Sequence, residues 1–130
     1  MSDLLAEAAD LLPDLQTLRR DLHAHPEVGL DLPRTQAAVL DAIAGLDVEV
    51  TTGEGATSVV AVLRGTHPER PAQAPAVLLR GDMDALPVAE ATDEPFAATN
   101  GNMHACGHDL HTAGLVGAMR LLAARRADLA

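Results

Sequence analysis

The chain has no tryptophan, no tyrosine, no lysine and a single phenylalanine, Phe96, in 130 residues. Its core must therefore be built from Leu, Val, Ala and Ile, and there is no aromatic platform on which nucleic-acid bases could stack. The formal net charge of −10 repels phosphate backbones, and all nine basic residues are arginines scattered along the chain without a basic run. Nucleic acid is excluded as an expected partner. Cysteine is limited to Cys106, so no internal disulfide can form, and in a reducing compartment that thiol stays available as ligand or nucleophile. No apolar run approaches the ~20 residues that span a membrane. The start, Met1-Ser2-Asp3-Leu4-Leu5-Ala6-Glu7, carries acids where a secretory signal carries positive charge. A cytoplasmic protein of one domain, without membrane contact, is expected.

Leu4, Leu5, Ala8, Leu11, Leu12, Leu15, Leu18 and Leu22 recur at helical spacing, with acids early and Arg19-Arg20 late, as the helix dipole favours. This predicts an amphipathic helix from Asp3 to about His23, kinked or divided at Pro13 and ended by His25-Pro26. A second helix opens at Pro33 and runs through Ala37, Ala38, Leu40, Ile43 and Ala44 to a stop at Gly45. Val48–Val50 and Val59–Leu63 read as two strands joined by a Thr- and Gly-rich turn. Residues 66–75, which hold three prolines, read as an exposed loop, and Ala76-Val77-Leu78-Leu79 reads as a short buried strand. Residues 89–102 lack periodicity and read as a long loop over the site. From about Gly107 to Arg126 the pattern is helical and apolar nearly all round, with Gly114 and Gly117 allowing close packing on a sheet. The order predicts an α/β fold, an α/β/α sandwich with a mixed sheet that is incomplete at its carboxyl end.

The chemistry concentrates in Met103-His104-Ala105-Cys106-Gly107-His108-Asp109-Leu110-His111. Thiolate sulfur and imidazole nitrogen are standard ligands of zinc and related ions. Cys106 and His108 flank one glycine, a spacing that points both to one side only in an extended segment. Catalytic zinc usually has three protein ligands plus water, so others must come from Asp82, Asp84, His104, His111 or residues beyond Ala130. Asp82 and Asp84 sit two apart, directly after the apolar run 76–79, where α/β enzymes place active-site groups. Asp109 suits the dipole of the following helix and can also orient a ligand histidine.

Blander readings stand beside these. Cys106 alone reads as a small buried hydrophobe. His23 and His25, with Pro26 and Glu27, read as a helix end capped by a cation, and Arg80 and Glu94 as solvated charges. Cys106 near the positive end of the last helix also reads as a nucleophile activated by a histidine. Two further carboxylates nearby favour a metal centre over that option.

Four segments, Leu18-Arg19-Arg20-Asp21-Leu22-His23-Ala24-His25-Pro26-Glu27, Gly53-Glu54-Gly55-Ala56-Thr57-Ser58-Val59-Val60-Ala61, Leu79-Arg80-Gly81-Asp82-Met83-Asp84-Ala85-Leu86-Pro87 and Met103 to Asp109, resemble the M20 metallopeptidase family. The match is to its amidohydrolase branch of hippurate hydrolases, N-acyl-amino-acid amidohydrolases and auxin-conjugate hydrolases. The resemblance implies a zinc-peptidase-like catalytic domain with two divalent ions, zinc, manganese, cobalt or nickel, that splits the amide of a small N-acyl amino acid. By that analogy Cys106 and His108 are metal ligands, Asp82 stands where other branches carry a ligand histidine, Asp84 steadies the site, and His104 and Asp109 lie just behind it. The implied chemistry is Lewis-acid polarisation of the scissile carbonyl and acidification of a bound water, with a carboxylate moving its proton.

The family's glutamate pair, its later ligand histidines and the lid domain through which members usually dimerise have no counterpart in residues 1–130. The expectation is thus the amino-terminal part of the catalytic domain, without a general base of its own and weakly active or inactive alone. A non-catalytic metal-binding or interaction module built on the same scaffold is the alternative.

Overall fold

The computed structural model describes residues 4–129. Three helices, α1 (Leu4–Ala24), α2 (Pro33–Ala42) and α3 (His108–Ala124), pack on one another, a hairpin of β1 (Glu49–Thr52) and β2 (Val59–Val62) lies against α2, and a 3-10 turn, Arg126–Asp128, follows α3. The fold class is α/β, with the sheet reduced to one antiparallel pair in the register Glu49↔Val62 to Thr52↔Val59.

Helix α1 runs unbroken through Pro13, which lies on its exposed face, so the expected division does not occur. Helix α2 starts at Pro33 without a side-chain cap from Leu32. Its first turn is served from outside instead, because the Glu27 carboxylate accepts the amides of Arg34 at 3.2 Å and Thr35 at 2.8 Å. A carboxylate at that end satisfies orphan donors and complements the helix dipole. Past the other end, Gly45 takes φ +81°, a left-handed stop that a side chain resists. Arg120 of α3 then donates twice to the Ala42 carbonyl, at 2.8 and 3.2 Å.

The core lies between α1, α2 and α3, with Leu22, Leu32, Val39, Ile43, Ala113 and Val116 all buried. At the α1–α3 crossing a Cβ on Gly117 would stand 2.7 Å from Leu15 Cδ1, so the glycine sets how closely the helices approach. Glycine here serves helix against helix rather than helix against sheet. Residues 76–79 also depart from expectation: they form no strand, and Val77 and Leu78 are 86% and 87% exposed. An apolar run becomes a buried strand only when a neighbouring strand supplies hydrogen bonds and a second layer covers it, and the described residues supply neither. The α/β/α layering and mixed sheet therefore do not form among them. Among the described residues no helix is long and apolar enough to cross a membrane.

Candidate metal centre

Backbone bonds bring the two chemistry-bearing segments together. Ala85 donates its amide to the Glu27 carbonyl at 2.7 Å, and Leu86 and Met103 exchange both of theirs at 3.0 and 2.9 Å. Asp82 and Asp84 are thereby held beside the turn that leads into α3. Thr112 Oγ1 donates to the Asp82 carbonyl at 3.0 Å, and a Cβ on Gly81 would lie 3.3 Å from the His111 carbonyl. The segment from Gly81 to Asp84 thus runs against the first turns of α3 with no room to spare.

Gly107 enters the helix with φ +81° and ψ 24°. That left-handed step is easy only for glycine, and it ends any extended run between Cys106 and His108. The two side chains are therefore not forced to one side. His108 and His111 are instead paired, three apart on one helical face, with ring centroids 5.5 Å apart. His108 Nδ1 lies 2.8 Å from the Asp84 carbonyl oxygen and 3.1 Å from Asp84 Oδ1. Both are acceptors, so Nδ1 carries the hydrogen and Nε2 keeps its lone pair.

Donor atoms from Asp82, His108 and His111 all lie within 4.8 Å of one another. One carboxylate and two imidazoles suit zinc, manganese, cobalt or nickel, whose bonds to such donors are ~2.1 Å. The set fits a divalent ion. Asp82 meanwhile pairs with the exposed guanidinium of Arg80. A cleft of about 320 Å³ opens beside it, lined by Leu30, Leu32, Thr57, Ser58 and the segment Arg80–Asp84. The long loop 89–102 contributes nothing to that cleft.

Cys106 is exposed and stands outside the group of three. His104 is buried, and among the described residues neither ring nitrogen has a protein partner. Burial pushes its pKa down against the opposing pull of Asp109, which favours a neutral ring. Asp109 is wholly buried, and the imidazole it engages is that of His23 rather than a metal-donor histidine.

His23 lies at the centre of a buried polar cluster behind the candidate donors. Its ring is 5% exposed, with Nδ1 2.8 Å from Asp109 Oδ2 and Nε2 3.1 Å from Glu90 Oε1. Arg19 Nε reaches the same Asp109 oxygen at 2.7 Å, and Phe96 closes over His23 edge-on at 5.5 Å. The Thr92 hydroxyl, the Ala98 amide and His23 together hold the Glu90 carboxyl down at about 2. The loop 89–102 is thus wound around Glu90 and anchored on α1. No local pattern marks His23, because its partners are 86 and 67 residues away.

Residues 78–130 match the family model described as Peptidase family M20/M25/M40. The chain is 38% identical over 117 residues to the N-acetylcysteine deacetylase of Bacillus subtilis, covering 88% of this chain and 30% of that protein. It is 39% identical over 119 residues to an N-acetyldiaminopimelate deacetylase of Listeria monocytogenes, covering 90% and 31%. Among solved structures, a putative aminohydrolase from methicillin-resistant Staphylococcus aureus superposes with a TM-score of 0.85 at 33% identity, over 95% of this chain and 31% of that one. A dinuclear metal binding peptidase from Bacillus subtilis superposes with a TM-score of 0.81 at 35% identity, over 92% and 33%. The chain spans about three-tenths of the length of the curated relatives it matches.

Proposed function

Because the chain belongs to the M20 peptidase family, we propose that residues 1–130 form the amino-terminal part of a metal-dependent amidohydrolase domain, one that cleaves the amide of small N-acyl amino acids. The observation that carries this reading is the convergence of Asp82, His108 and His111, with Asp84 fixing the His108 tautomer. A divalent cation there supplies Lewis acidity to an amide carbonyl and makes water more acidic. The chain's own residues do the positioning. Asp84 accepts the Nδ1 hydrogen of His108 and leaves Nε2 available, Thr112 holds the Asp82 backbone against α3, and Arg80 balances the Asp82 charge.

The site is proposed to hold two ions, with Cys106, two residues before His108, as a further ligand and with His104 and Asp109 behind the ligands. Acylated amino acids are the proposed substrates because the relatives named above are deacetylases of such molecules. The test is a cobalt titration of the purified 130-residue chain, followed by its visible absorption. Saturable binding that is lost in His108→Ala and reduced in His111→Ala and Cys106→Ala supports the reading. Equal spectra for the wild type and His108→Ala would contradict it.

A further inference from the structure

We infer that His23 is a positioning residue for the metal donors, with two arms of separate purpose: its Nδ1 arm fixes the first turn of α3 through Asp109, and its Nε2 arm fixes the loop 89–102 through Glu90. This rests on the metal-centre reading above, and the experiment below separates the two.

His23 is buried, and each ring nitrogen faces a carboxylate oxygen from a different part of the chain. Carboxylates held by cations and amides only accept, so each nitrogen must donate. Arg19 Nη2 also lies 3.4 Å from Nδ1, but the 2.8 Å contact with Asp109 is far shorter and decides the orientation. Asp109 is the second residue of α3, flanked by His108 and followed two residues later by His111. A helix turn is a rigid unit, so the rotation of α3 about its axis at Asp109 sets where both metal-donor rings point. Asp109 has two clamps from α1, the Arg19 guanidinium at 2.7 Å and His23 at 2.8 Å. Arg19 also meets the loop, its guanidinium 5.1 Å from the centre of the Phe96 ring, but of the two only His23 contacts Glu90. Donor groups must be held within a few tenths of an ångström to bind well, and hydrogen-bonded supports behind them typically contribute tenfold to hundredfold in metal affinity.

The arms are separable by substitution. In His23→Asn the amide nitrogen takes the place of Nδ1 and keeps the Asp109 bond while losing Glu90. In His23→Gln the longer side chain reaches the place of Nε2 and keeps Glu90 while losing Asp109. Cobalt affinity and amide hydrogen exchange would be measured on the 130-residue chain at a temperature where circular dichroism shows each variant folded. The expected result is that His23→Asn keeps cobalt affinity within about twofold, while His23→Gln loses about tenfold and its Asp109–Thr112 amides exchange faster. A merely structural histidine would move both variants alike, and equal losses or no loss in either would overturn the inference.

Should the wild type bind no cobalt, the metal reading fails; faster exchange at residues 109–112 in His23→Gln alone would still uphold the anchoring. If neither His23 variant folds, Glu90→Gln decides. It leaves the Asp109 arm intact, so unchanged cobalt affinity with faster exchange in residues 90–98 supports the separation of arms. A tenfold loss of cobalt affinity in Glu90→Gln would overturn it.

Discussion

Replacing Asp84 by alanine should weaken divalent-metal binding to the 130-residue chain by about tenfold, or about 1.4 kcal/mol, at the low end of what such a support contributes. The magnitude follows from a division of labour at His108. Nδ1 is held at 2.8 Å by the Asp84 backbone carbonyl and at 3.1 Å by its carboxylate, and the substitution removes only the second. The tautomer is therefore preserved, and what is lost is the negative charge behind the ring. The Asp84 side chain is 41% exposed, so water screens much of that charge. For the same reason folding stability should hardly change. The assay is competition titration of zinc against a chromophoric chelator, with urea unfolding of the metal-free chain as control. Unchanged affinity would mean that the carbonyl alone orients His108. A loss as large as that of His108→Ala would mean that Asp84 is itself a ligand, and either result would refute this account of its role.

Three further outcomes follow from the fold. Glu90 is held at about 2 against an ordinary 4.5, so its contribution to stability is complete above pH 4.5 and drains away as the pH falls toward 2; Glu90→Gln should flatten the Tm profile across that window. Glu27→Ala removes the carboxylate that serves two α2 amides and should cost about 1–2 kcal/mol in urea unfolding, with a change below about 0.3 kcal/mol arguing against the cap. Gly117→Ala gains about 1 kcal/mol of helix propensity and loses a similar amount in moving Leu15, so its net effect should stay within about 1 kcal/mol, whereas Gly117→Leu should destabilise by more than about 2 kcal/mol.

The helices were legible because their signals are local. Leucine spacing, Pro33 and Gly45 each act within a few residues, and all three helices fall close to their expected bounds. The run Val77-Leu78-Leu79 misled because burial of a strand is decided by partners that an apolar run does not announce. At the site, Asp82, Asp84 and His108 stood out as titratable groups beside an apolar run or a glycine. His111 needed one more step: once Gly107 is seen to open a helix, its three-residue offset from His108 places both rings on one face. His23 and Glu90 carried no such local mark. The links that join them to each other and to Asp109 cross 67 and 86 residues, which composition and spacing cannot show.

The most direct test is an anomalous difference map from crystals of the 130-residue chain grown with zinc. The account predicts a peak bonded to His108 Nε2, with His111 and an Asp82 oxygen among its protein ligands. A peak bonded to the Cys106 thiol alone, or to His108 through Nδ1 with the Asp84 contact broken, would contradict it.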